Sequence, residues 1–192
     1  MNDETRDKWD AVYDARDVAA AEPARVLVEY VHLLPKSGQA LEVACGRGGN
    51  AVYLARHGLQ VTAWDISPVV VDKLRHYAEQ QQLDLHAAAR DLRQHPPIPG
   101  SFDVIVVTHF LDRSLIPALI DALRPGGLMF YQTFTRSCVS AAGPSNPEFR
   151  LADNELLVLF GGFRLLAYRD EGRVGDLGRG FRDLALIVAQ KI

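Results

Sequence analysis

Short β-branched apolar runs alternate with segments of helical period along most of the chain, and this alternation restricts the fold more than any other feature. The pattern predicts strands over Ala40–Val43, Gln60–Trp64, Asp84–Ala88, Phe102–Val107, Gly127–Thr133, Phe163–Arg169 and Asp183–Gln190. Helices are expected over Ala24–Leu34, Asn50–His57, Val69–Gln82, Leu115–Leu123 and Asn154–Phe160. An earlier helix should cover much of Thr5–Asp17, with Trp9 and Tyr13 one turn apart on one face. Strand–helix–strand repetition implies right-handed crossovers, hence a doubly wound α/β sheet of seven mostly parallel strands with helices on both faces. No helical pattern fits between Arg169 and Asp183, where Gly172, Gly175, Gly178 and Gly180 read as a hairpin connection. The last strand should therefore run antiparallel.

A length of 192 residues suits one domain over 1–192, and no linker or internal repeat divides it. The one long irregular stretch, Thr135–Arg150, follows a strand's carboxyl end and is a candidate substrate-side lid. With a formal net charge of -3 and its densest basic stretch interrupted by acids, the chain lacks the basic stripe of a nucleic-acid binder. Two cysteines make no disulfide framework and no zinc pair. The N-terminus carries no apolar leader segment, no apolar run is long enough to span a membrane, and a cytoplasmic location is expected. Nothing in the sequence speaks to oligomeric state.

The sharpest local signal is Leu41-Glu42-Val43-Ala44-Cys45-Gly46-Arg47-Gly48-Gly49-Asn50, a buried strand that ends in a glycine-rich turn and opens a helix. Glycine lets backbone amides approach a ligand closely. The spacing Gly46-x-Gly48-x-x-Ala51 also fits a dinucleotide fingerprint, so the turn alone does not choose a cofactor. The surrounding acids do. Asp65, closing the second strand, can accept from both hydroxyls of a ribose; its bland alternative is a helix cap, for which Ser67 before Pro68 is better placed. Asp91 follows the third strand, suited to an adenine amino group with Leu92 over the ring, or else to pairing with Arg90 or Arg93. A carboxylate at Glu42 would repel a pyrophosphate but welcome a ligand bearing an ammonium and a sulfonium. That sign favours S-adenosylmethionine over a nicotinamide cofactor.

Taken together, these segments resemble the class I S-adenosylmethionine-dependent methyltransferases. Glu42 to Gly49 matches the family's first motif, Asp65 its ribose acid, Asp91-Leu92 its adenine-side motif, and Phe102 to Val107 its fourth strand. Leu123-Arg124-Pro125-Gly126-Gly127-Leu128 resembles the turn into strand five. In the first motif, Ala44 and Cys45 replace the more usual glycine and small residue. The resemblance implies a Rossmann-like fold with cofactor contacts from Glu42, Ala44, Cys45, Gly46, Gly48, Asn50, Asp65, Ile66, Arg90, Asp91, Leu92 and Thr108. It also implies an N-terminal helical cap over residues 1–22, which would bring Trp9 and Tyr13 onto the cofactor. Size and layout are similar to the tellurite-resistance type.

A small-molecule methyl acceptor is expected, soft or anionic in kind, such as a thiol or chalcogen oxyanion, with S-adenosylhomocysteine as product. His109, just past the fourth strand, is the candidate catalytic residue, or else packs against the lid. Arg113, Arg136 and Arg150 are candidates to orient an anionic acceptor. The histidines show no metal-ligand clustering, and no metal is called for. Two alternatives stand beside this reading: a nicotinamide-dependent oxidoreductase, and a catalytically idle methyltransferase-like binding domain.

Overall fold

A computed structural model describes residues 3–14, 17–18 and 21–192 of the chain. Its seven strands are β1 (Gln39–Val43), β2 (Gln60–Asp65), β3 (Leu85–Ala89), β4 (Phe102–Thr108), β5 (Leu123–Phe134), β6 (Phe163–Asp170) and β7 (Leu184–Lys191). They form one sheet in the order β3-β2-β1-β4-β5-β7-β6. The first five run parallel, and β7 is antiparallel to both β5 and β6. The expected doubly wound sheet with its reversed last strand is therefore what the chain adopts.

The helices are α1 (Asp3–Asp14), α2 (Arg25–Glu29), α3 (Gly49–Arg56), α4 (Pro68–Gln80), α5 (Ile116–Ala122) and α6 (Glu155–Leu159). Alternation along the strands divides the core. On β4, Val104 and Val106 join Val26, Leu27, Leu54 and Leu74 on the face covered by α2, α3 and α4. Ile105 and Val107 join Leu119, Tyr131, Leu156 and Phe160 on the face covered by α5 and α6. Both faces are apolar because a parallel sheet is covered on both sides.

Several bounds differ from expectation for local reasons. The helix expected over Ala24–Leu34 stops at Glu29 and continues as a 3-10 turn, Val31–Leu33. Strand β5 begins at Leu123 rather than Gly127, because Phe102 pairs with Leu123 before a bulge resets the register to Val104 opposite Leu128. The expected cap over residues 1–22 and the helix over Thr5–Asp17 lie partly outside the described residues. Where described, α1 is tied to α4: Ser67 Oγ donates to Asp10 and Lys73 Nζ to the Tyr13 carbonyl at 2.9 Å.

The order of strands reverses between β1 and β4, which are adjacent in the sheet while their following helices leave to opposite faces. Such a switch point opens a crevice at the carboxyl ends of the strands.

Candidate functional site

A cavity of about 530 Å³ occupies that crevice. Its floor is the turn after β1. Gly48, with φ 73°, caps α3, and a Cβ there would lie 2.5 Å from the Leu74 side chain. A Cβ on Gly49 would lie 2.4 Å from the Glu22 carbonyl oxygen, so the segment before α2 is laid directly on the turn. Ala44 takes φ 52° where the resemblance leads one to expect glycine, a conformation that costs an L-residue about 1–2 kcal/mol.

Glu42 is fully buried at the end of β1. Its Oε1 accepts from Asn50 Nδ2 at 2.7 Å and its Oε2 from the Ala51 amide at 2.8 Å. Among the described residues no cation pairs with it. Burial, reinforced by the nearby Asp65 charge and only partly offset by the two hydrogen bonds, pushes its carboxyl up to about 8. Asp65, on the neighbouring strand and also buried, accepts from the Gly46 amide at 2.8 Å and the Ser67 amide at 3.0 Å. Burial again raises its pKa, against those bonds. Two buried acids without a counter-cation thus face one cavity.

Of the sequence-predicted residues, Trp9, Tyr13, Glu42, Ala44, Cys45, Gly46, Gly48, Asn50, Asp65, Ile66, Arg90, Leu92, Thr108 and His109 all line this cavity. Trp9 and Tyr13 stack with ring centroids 5.6 Å apart. The cap role expected of Ser67 is present, its hydroxyl accepting from the Val70 amide at 3.4 Å. The Arg90 guanidinium lies 4.0 Å from the Trp64 ring centroid and donates to the His95 and Pro96 carbonyls. The Cys45 thiol is pushed well up by burial and by Glu42 and Asp65, which makes it a packed side chain and not a thiolate.

Four predicted residues are not among those that line the cavity. Asp91 is not among the lining residues; one of its carboxylate oxygens accepts from the Arg93 amide at 3.0 Å in the turn after β3. Arg113 forms a two-pronged pair with Glu155 at 2.6 and 2.9 Å and donates to the Arg150 carbonyl. Arg150 is buried and donates to the carbonyls of Thr135, Ala142 and Pro144. Arg136 lies on the surface and reaches the Pro147 carbonyl and Glu148. The three arginines fasten the 135–150 loop to itself and to α6, because carbonyls left without partners by an irregular backbone need donors. No residue of that loop lines the cavity.

His109 stands at φ 55°, its amide donating to the Gln132 carbonyl at 2.9 Å and its ring 5.3 Å from that of Phe134. The side chain is exposed, yet the protein around it desolvates the ring enough to lower its pKa, favouring neutral imidazole near pH 7.

Sequence reasoning missed the opposite wall: Glu22, Pro23, Ala24, Arg25 and the buried Gln132. Gln132 Oε1 accepts from the Val26 amide at 3.0 Å. Its signal was available, as a lone amide directly after the apolar run Leu128–Tyr131 near a strand's carboxyl end. Among the described residues no group of His, Cys, Asp and Glu is arranged for a metal, and no helix is long and apolar enough to cross a membrane.

Residues 40–127 match a family model described as a methyltransferase domain. Curated relatives include a ubiquinone biosynthesis O-methyltransferase of Coxiella burnetii, 27% identical over 142 residues covering 71% of this chain and 61% of the relative. One of the same name from Xanthomonas axonopodis pv. citri is 31% identical over 137 residues, covering 67% and 56%. The chain thus spans about three fifths of the length of these relatives. In fold, the crystal structure of TehB from Haemophilus influenzae matches with a TM-score of 0.71 at 24% identity, over 97% of this chain and 67% of that one. The resemblance to class I S-adenosylmethionine-dependent methyltransferases, first carried by the motifs, is borne out by the domain match in sequence and by the order of the whole sheet.

Proposed function

We propose that this chain is an S-adenosylmethionine-dependent methyltransferase acting on a small-molecule acceptor, with residues 1–192 as one domain and α1 as its cap. The observation that carries this reading is the pair of buried, uncompensated carboxylates, Glu42 and Asp65, at the carboxyl ends of adjacent strands on one cavity. A buried acid is costly unless something answers its charge. A ligand with an ammonium answers Glu42, and ribose hydroxyls answer Asp65. A pyrophosphate answers neither.

S-adenosylmethionine, when bound, supplies a methyl group on an activated leaving group; the chain has to place an acceptor about 3 Å from it and keep water out. Glu42 and Asp65 would hold the two ends of the cofactor, with Ile66 and Leu92 against its base. Trp9 and Tyr13 would cover it. His109, Phe110 and Gln132 would form the acceptor side, where neutral His109 can position a ready-made anion or take a proton. Arg25 and Arg47, both on the lining, would orient a soft or anionic acceptor beside the role considered for Arg113, Arg136 and Arg150. A hydroxyl acceptor is the second reading, favoured by the lowered pKa of His109 and by relatives named as O-methyltransferases.

Calorimetric titration with S-adenosylhomocysteine, NAD and NADP tests the first claim. Binding of S-adenosylhomocysteine alone is expected; preference for either dinucleotide would overturn it. Single-turnover methyl transfer to a panel of thiols, chalcogen oxyanions and phenols then separates the two acceptor readings.

A further inference from the structure

Asn50 sits in the first turn of α3, and its buried carboxamide serves three other elements at once. Nδ2 donates to Glu42 Oε1 at 2.7 Å and to Thr108 Oγ1 at 2.9 Å. Oδ1 accepts from the Ala24 amide at 2.7 Å. Both amide hydrogens are used, and one acceptor site is filled. The third bond has a clear local cause. Ala24, the N-cap of α2, has a methyl group that caps nothing, so the first amides donate to distant acceptors, Ala24 to Asn50 Oδ1 and Val26 to Gln132 Oε1.

We propose, on the methyltransferase reading above, that Asn50 is a positioning residue that joins the two halves of the site. Through Nδ2 it favours the ionised form of Glu42 and keeps the carboxyl aimed at the cofactor's ammonium. Through Oδ1 it fixes the 21–25 wall, where an acceptor would lie. Cofactor grip and acceptor wall are then set by one side chain that need not touch either ligand.

Glu42 is surrounded unevenly. From α3, Asn50 and the Ala51 amide favour its ionised form; burial and Asp65 on β2 oppose it, and the Cys45 thiol beside it gives no relief. From β4 it is faced through Asn50 by uncharged Thr108, and the remaining titratable lining groups are Tyr13, Glu22, Arg25, Arg47, Arg90 and His109. Removing the Asn50 donor leaves the opposing influences in place.

Calorimetric titration of the full chain with S-adenosylhomocysteine between pH 6 and 9, with amide hydrogen exchange at Ala24, tests the proposal. In the wild type, affinity should rise with pH and level off once Glu42 is ionised. Asn50→Ala should move that midpoint up by about one unit, roughly tenfold weaker binding at pH 7, and speed Ala24 exchange at least tenfold. Asn50→Asp, close in volume and still able to accept from Ala24, should shift the midpoint as much or more while Ala24 stays protected. It also keeps the test alive if Asn50→Ala fails to fold. Midpoints equal to wild type in the variants would overturn the proposal, as would rapid Ala24 exchange in Asn50→Asp. A wild type that binds no S-adenosylhomocysteine at any pH would instead remove the methyltransferase reading on which the proposal rests.

Discussion

Replacing Glu42 by Gln should make the cofactor-free protein less stable in acid and more stable in alkali, with the two stability curves crossing near pH 6. In the folded chain the Glu42 carboxyl is raised from 4.5 to about 8, so the folded state holds its proton more tightly than the unfolded one. The stability this provides is complete below the unfolded pKa and is lost as pH rises through the folded one. At about 1.4 kcal/mol per unit, the loss is about 3 kcal/mol by pH 7 and about 5 kcal/mol by pH 9. Glutamine does not titrate, so its curve lacks this slope. It brings a different cost: one end must present an NH₂ to Asn50 Nδ2 or to the Ala51 amide, and a buried donor left unmatched costs about 1–3 kcal/mol.

Below about pH 5 only that cost operates, and the variant should be weaker by about 1–3 kcal/mol. Above about pH 8 the wild type carries the larger burden, and the variant should be stronger by about 2 kcal/mol. Titrating groups not coupled to Glu42 act on both proteins and cancel in the difference, whereas Asp65 and Cys45, which interact with its charge, add a smaller residual slope. Denaturant unfolding at intervals from pH 5 to 9, without cofactor, measures it directly. Curves that stay parallel over that range would refute the buried, uncompensated acid at Glu42. Adding S-adenosylhomocysteine should then stabilise only the wild type strongly, because only a carboxylate answers the ammonium.

Asp65→Ala should weaken S-adenosylhomocysteine by about 2–4 kcal/mol, tens- to hundreds-fold in Kd by calorimetry, since it removes a charge-assisted acceptor and frees the Gly46 amide it now holds. His109→Asn should leave cofactor affinity unchanged. With a soft anionic acceptor most single-turnover rate should persist, whereas a hydroxyl acceptor should lose about 10²–10⁴-fold and, in the wild type, lose rate as pH falls through the lowered His109 pKa. Gly49→Ala should lower Tm and cofactor affinity together, because its methyl group meets the Glu22 carbonyl and that backbone has to move. Ala44→Gly should be neutral to stabilising by up to about 1 kcal/mol in thermal unfolding, as relief of left-handed strain outweighs the added chain entropy.

The parts of this site that could be read from the sequence share a physical property: each is encoded within a few residues. A strand, its terminal acid and the following turn are contiguous, so Glu42 to Gly49 and Trp64 to Ser67 declare themselves through period, glycine and charge. Asp91 shows how one residue can serve more than one local role. It follows β3 as expected, and an aspartate two residues before a free amide can also close a turn on itself, as its bond to the Arg93 amide does. The three arginines show the same competition from local partners. Charge and position suggested a ligand, while the irregular 135–150 backbone supplied nearer acceptors in its own carbonyls.

What no local pattern shows is how the 21–25 wall is anchored, because its hydrogen bonds join residues 26 and 106 positions apart, Ala24 to Asn50 and Val26 to Gln132. No local pattern marks such pairs; only the sheet order, which sets β1, β4 and β5 side by side, makes them neighbours. This separation also bears on where specificity can change. Glu42, Asp65 and the glycine turn are bound into strand ends and the start of α3, so altering them disturbs the core as well as the ligand. The 21–25 wall touches that frame chiefly through two amide side chains and one close backbone contact at Gly49. Substitutions at Glu22 or Arg25, which keep those anchors, should therefore alter the choice of acceptor while leaving cofactor affinity within about twofold. Calorimetry with S-adenosylhomocysteine beside single-turnover rates over an acceptor panel measures both quantities on the same variants. A matching loss of cofactor affinity in Arg25→Ala would show that the two halves are not separable in this way.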